Sequence, residues 1–103
     1  MHSKDAQMLV LTALAGGPLH GYAINTAIEA LTGTRLGPGS LYGALARLEA
    51  RQLIEPAGEP SAAQERHRTV RITPAGREAL RAELEQMSRV AKAGLRALGG
   101  APA

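Results

Sequence analysis

Arg66, Arg68 and Arg71 crowd one short segment, with His67 among them. A local basic cluster of this kind is the electrostatic footprint of phosphate binding. A second set, Ser40, Tyr42 and Arg47, lies in a stretch of helical apolar spacing. Arg47 can bind guanine O6 and N7 bidentately or hold a phosphate, and its flanking position favours the phosphate. Ser40 can donate to a phosphate beside the exposed amides of a helix start, or help complete that helix's first turn. Tyr42 can meet a phosphate or a base edge, or pack its ring over the first helix or a second protomer.

Enzyme chemistry finds no comparable constellation. His2, His20 and His67 lie in separate elements and lack metal-ligand spacing with Asp or Glu, and Asp5 is the sole aspartate. Ser40 has no base nearby in sequence, and no glycine-rich phosphate loop precedes a helix in a strand context. The chain has no cysteine, which removes disulfides and thiolate metal sites. Neither catalysis nor a metal or other cofactor is expected. Imidazole is a side chain suited to a sensor, but the place of His20 in the first turn of a helix reads as satisfying backbone groups. Gly21 reads as permitting close packing, and Tyr22 as a partly buried core residue.

The elements that must position these residues are legible from apolar periodicity. Residues 5–15 form an amphipathic helix through Met8, Leu11, Leu14 and Ala15, with Leu9 beside them, and Gly16-Gly17-Pro18 stops it. A second helix runs from about His20 to Leu31 on Ile24, Ala27, Ile28 and Leu31, ending at Thr32-Gly33. A third begins at Pro38 with Gly37 as N-cap. Its Leu41, Ala44, Leu45 and Leu48 face the core. The opposite face carries Gly43, Ala46 and Ala50, flanked by Ser40, Arg47 and Tyr42, a surface small enough to sit deep in a groove. Leu53-Ile54-Glu55 and Thr69-Val70-Arg71-Ile72 are the strand candidates, with Val70 and Ile72 turned inward. The turn-rich stretch from Pro56 to Glu65 makes them a hairpin with a long tip. Strand parity points Arg68 inward, so it must swing out towards a phosphate or a carboxylate. Thr73-Pro74 starts a helix that runs to about Leu98. Its Leu80, Leu84, Met87, Ala91, Gly94 and Leu98 follow a coiled-coil seam, widened by Val90 and Leu95.

The gross properties agree with one small, aliphatic, mainly helical domain. Hydrophobic residues make up 45% of the 103, but aromatic residues only 2%, both of them tyrosines. Leu and Ala therefore build the core, which favours helices. The net charge is +3 and the isoelectric point about 10.0, compatible with nucleic acid without establishing it. Neither a signal peptide nor a membrane span is read, so the expected location is the cytoplasm.

These residues resemble a known family. Gly17-Pro18-Leu19-His20-Gly21-Tyr22, then Gly39-Ser40-Leu41-Tyr42 with Ala44-Leu45 and Arg47-Leu48-Glu49, then Leu53-Ile54-Glu55, and finally Ile72-Thr73-Pro74-Ala75-Gly76-Arg77 look like the ordered blocks of a PadR-type transcriptional regulator. The resemblance spans roughly residues 7–98, and the single C-terminal helix is similar to the compact branch. It implies a cytoplasmic winged-helix homodimer that represses promoters and is commonly released by a small molecule at or near the dimer interface. It also implies a third helix in the major groove and a wing towards the minor groove. The matching DNA-contact positions are Ser40, Tyr42 and Arg47 on the helix and Arg66, His67 and Arg68 on the wing. Two departures stand out: Thr69-Val70 replaces the paired aromatics that often lead into the last strand, and the long helix has no Trp to stack on a planar drug.

The expected architecture is mainly α with a small β-hairpin. A winged helix-turn-helix DNA-binding domain covers residues 1–73, and a dimerisation helix with a short tail covers 74–103. The expected function is a sequence-specific regulator, a ligand-responsive repressor binding double-stranded DNA at an inverted repeat as a homodimer. Leu80, Leu84, Met87, Ala91, Leu95 and Leu98 form the expected dimer interface. An effector cleft is expected between the first and long helices, lined by Met8, Leu11, Met87 and Val90, unless those four are plain dimer core. The alternative is a winged-helix adaptor that docks a protein partner without specific DNA binding. Basic residues beside the third helix favour DNA; a large apolar patch there favours the adaptor.

Overall fold

The computed structural model describes residues 3–58 and 68–99. Three helices, α1 (Ser3–Leu14), α2 (Gly21–Thr32) and α3 (Pro38–Ala50), enclose a core capped by a small sheet of β1 (Leu19–His20), β2 (Ile54–Pro56) and β3 (Thr69–Ile72). A long helix, α4 (Pro74–Ala97), leaves the sheet and runs outward. The core is aliphatic, as composition requires: Val10, Leu14, Ile24, Ile28 and Leu48 are completely buried, with Ile54 nearly so. The buried face of α1 is centred on Ala6, Val10, Leu11 and Leu14, whereas Met8 and Leu9 sit at its edges.

The sheet is three-stranded, not a plain hairpin. β3 lies in the middle, pairing antiparallel with β2 (Ile54 opposite Ile72, Glu55 opposite Arg71) and with β1 (Leu19 opposite Val70). The predicted second helix therefore starts one residue late, because His20 ends a strand and caps α2 at once. Its Nδ1 accepts a hydrogen bond from the Ala23 amide at 3.4 Å, the backbone-satisfying role expected of it. Val70 and Ile72 point inward and are buried, and the outward Arg71 pairs with Glu55 across the strands at 2.8 Å.

Three expected core positions are not where periodicity puts them. Leu31 is 60% exposed because residues 29–34 at the end of α2 overhang the core. Tyr22 is 71% exposed, and its ring supports the Arg35 guanidinium 5.0 Å from its centroid while Arg35 pairs with Glu29. Leu80, assigned to the dimer seam, is buried in the protomer's own core, because the first turns of α4 pack against α1.

The turn between α2 and α3 is set by a residue that periodicity passes over. Asn25 is buried, donates from Nδ2 to the Leu36 carbonyl, and accepts from the Leu36 amide through Oδ1, both at 2.8 Å. This two-point bridge satisfies both backbone groups of Leu36, which would otherwise be orphaned. It holds the chain two residues before α3 begins.

Candidate nucleic-acid interface

Helix α3 presents the small outward face its sequence predicts. Leu41, Ala44 and Leu48 are buried, while Ser40, Tyr42, Ala46, Arg47 and Ala50 are exposed. At its start, Gly37 has extended φ and ψ and no side chain to bond the first-turn amides, and residues 37–40 are all exposed. Those amides, the positive end of the helix dipole and the Ser40 hydroxyl therefore share one open surface suited to an anion. Arg47 folds back along α3: its Nη1 lies 3.1 Å from where a Cβ on Gly43 would be. Glycine at 43 leaves the guanidinium room to lie flat on the helix.

Tyr42 packs on α2, not on α1. Its hydroxyl and ring atoms lie 3.3–3.7 Å from the Cβ position of Gly21, so this glycine admits the ring. The tyrosine is still 46% exposed, and its free edge opens on a groove of about 650 Å³ between α3 and β3. Leu45, Ala46 and Val70 line the groove, and Glu49 and Arg68 meet across it at 2.8 Å. Arg68 thus swings out from its inward parity to a carboxylate. Arg66 and His67 lie outside the described residues.

Glu49 is the site residue that the sequence reading did not single out. Its signal is present, since Tyr42 and Glu49 are seven residues apart, two helical turns, and so share a face. That face is the wall of the groove.

The long helix divides sharply along its length. Gly76 and Leu80 are buried, but Leu84, Met87, Val90, Leu95 and Leu98 are 40–85% exposed, and Ala91 is exposed as well. Of the expected effector residues, Met8 and Leu11 border a small cleft beside Leu53, Ala79 and Leu80 of about 60 Å³, room for a few waters only. Leu11 belongs to the core, and Met87 and Val90 stand apart from that cleft. Within one protomer the four do not form a site. Among the described residues no cluster of His, Asp or Glu is arranged to hold a metal, and no helix is long and apolar enough to cross a membrane.

Residues 10–82 match the family model for the PadR-like transcriptional regulators. An uncharacterized 37.1 kDa protein in transposon TN4556 of Streptomyces fradiae is 62% identical over 90 residues, 87% of this chain. The chain spans about a quarter (25%) of that relative's length. Among solved structures, a transcriptional regulator from Clostridium thermocellum is 28% identical with a TM-score of 0.73, covering 87% of this chain and 89% of that one. A PadR-like transcriptional regulator from Bacillus cereus is 23% identical with a TM-score of 0.75, covering 89% of each chain.

Proposed function

The chain belongs to the PadR-like family of transcriptional regulators, and from that premise we propose that it is a homodimeric repressor. In this reading it binds an inverted-repeat operator in the cytoplasm through α3 and the wing and is released by a small molecule. The observation that carries the reading is the open start of α3. Uncapped amides and Ser40 lie open there, Arg47 shares the Ser40 face two turns on, and Tyr42 flanks the outward face on the side of Arg68. Small residues on that surface let the helix backbone approach base edges, and the charged groups at its margins hold phosphates.

The adaptor alternative needs a broad apolar patch beside α3. Among the described residues, most of the large exposed apolar side chains lie instead along α4 and its end, at Leu84, Met87, Val90, Leu95 and Leu98, and α3 contributes Tyr42 alone. That stripe suits a second copy of the same helix, which would space two α3 helices for half-sites about one DNA turn apart. The outer methionine and valine then fall at the dimer seam, where a cleft for an apolar effector would be completed by the partner.

The test is binding of the purified protein to the DNA upstream of its own gene, alongside selection from a pool of randomised duplexes. Convergence on an inverted repeat supports the reading. So does an affinity falling on the order of 10³–10⁵-fold between about 50 and 200 mM salt, as for some 6–10 phosphate contacts. Salt-insensitive binding, or a pool that selects no common sequence, would overturn it.

A further inference from the structure

The groove beside α3 contains an acidic group where a DNA-binding surface would be expected to hold none. Glu49 is the sole acidic residue of α3, and its Oε2 accepts a hydrogen bond from Arg68 Nη2 at 2.8 Å. Both side chains are partly open to solvent, at 39% and 34% exposure. The pair joins α3 to the residue just before β3. Arg71, by contrast, pairs with Glu55 on its neighbouring strand, away from α3. A duplex seated on α3 with the wing beside it brings a sugar-phosphate strand along this groove. Arg68 is the cation placed to receive a phosphate there, and Glu49 already occupies it.

Resting on the DNA-binding reading, we propose that Glu49 is a specificity-determining residue. It masks Arg68 until a correctly docked operator phosphate displaces the carboxylate. A loosely held duplex of random sequence keeps its phosphates too far from Arg68 to compete with a carboxylate in direct contact. An operator that seats α3 fully brings a phosphate to the guanidinium, and the exposed Glu49 carboxylate turns to water. The exchange leaves Arg68 paired in both states, and it penalises binding to random DNA more than binding to the operator.

The experiment compares wild type, Glu49→Gln, Arg68→Ala and the double variant on the selected operator duplex and on a random duplex across a salt series. Gln keeps the size of Glu and can still accept a hydrogen bond from Arg68, so the groove keeps its shape. Glu49→Gln is expected to bind the random duplex about two- to fivefold more tightly, the strength of an exposed ion pair. Its log–log salt slope should steepen by up to about one unit, and its operator preference should fall. In the Arg68→Ala background the same change should alter affinity less than about twofold.

An equal gain in both backgrounds would mean that Glu49 acts by general repulsion, which overturns the exchange. An unchanged random-duplex affinity in Glu49→Gln overturns it too, even if wild type still prefers the operator. Wild type that binds neither duplex in a salt-dependent way removes the DNA reading itself and this inference with it.

Discussion

Helices α3 and α4 both begin with a proline at the first position, Pro38 and Pro74, and both leave N-terminal amides without intrahelical partners. The two ends meet opposite surroundings. At α4 the Thr73 hydroxyl accepts from the Gly76 amide at 2.9 Å and donates to the Gln52 carbonyl at 2.8 Å, while the Thr73 amide donates to the Leu53 carbonyl at 3.0 Å. Gly76 is packed so tightly that a Cβ there would collide with the Leu53 carbonyl oxygen, as well as with Ile72. At α3 the cap is a glycine, a Cβ at Gly37 or Gly39 would meet nothing within 4 Å, and all of residues 37–40 are exposed. The same local start signal produces a locked joint in one place and an open anion-facing end in the other. What separates them is what the surrounding chain brings up to the helix end.

Exchanging glycine for alanine at the two starts gives the largest contrast. Gly76→Ala drives a methyl group into backbone that cannot move aside, and urea unfolding should show a loss of about 3 kcal/mol, the upper end of overpacking costs. A near-neutral result would mean that α4 can lift off the turn after α3. Asn25→Ala is expected to come next, because it strands the buried amide and carbonyl of Leu36, at about 2 kcal/mol in the same assay. It should also weaken operator binding, since α3 is positioned through Leu36 and not through its own cap. Full operator affinity in a destabilised Asn25→Ala protein would show that α3 is held by other contacts.

Removing the α4 cap tests the locked end more gently. Thr73→Ala loses the bond to Gly76 and the bond to Gln52 and should cost about 1–2 kcal/mol, read from the denaturation midpoint. At the open end the balance reverses. Gly39→Ala should leave stability within about 0.5–1 kcal/mol of wild type, on the stabilising side, because it only restricts the unfolded chain. Ser40→Ala should leave the melting temperature unchanged while reducing operator affinity on the order of tenfold or more, the loss of one hydrogen bond to a charged group. If Ser40→Ala melted lower and bound DNA normally, the hydroxyl would belong to the helix and not to a ligand.

Much of this arrangement is legible in the sequence because it is local. Thr73-Pro74 and Gly37-Pro38 mark helix starts through φ restriction and capping chemistry, and the i, i+3, i+4, i+7 spacing of Leu41, Ala44, Leu45 and Leu48 orients α3 and so its outward face. The alternation of Val70 and Ile72 likewise orients β3. What escapes is whatever depends on a distant partner. Leu19-His20 is too short to show alternation and becomes a strand because β3 offers it a free edge. Leu31 and Tyr22 carry apolar or aromatic side chains on α2, yet none of the described elements covers them. Asn25 looks like a polar interruption until the Leu36 backbone meets both ends of its amide.

By itself, then, the sequence determined the helices, their caps, the inward-facing strand residues and the small outward face of α3, because backbone dihedrals and apolar period are properties of neighbouring residues. The tertiary structure alone decided that Gly76 must be glycine, that Leu80 serves the protomer's own core, and that Tyr42 rests on Gly21. It also decided that Arg68 finds Glu49 across a groove nineteen positions away. Each of these depends on which surfaces meet once the chain has closed on itself, and distance in space is not encoded by spacing in the chain.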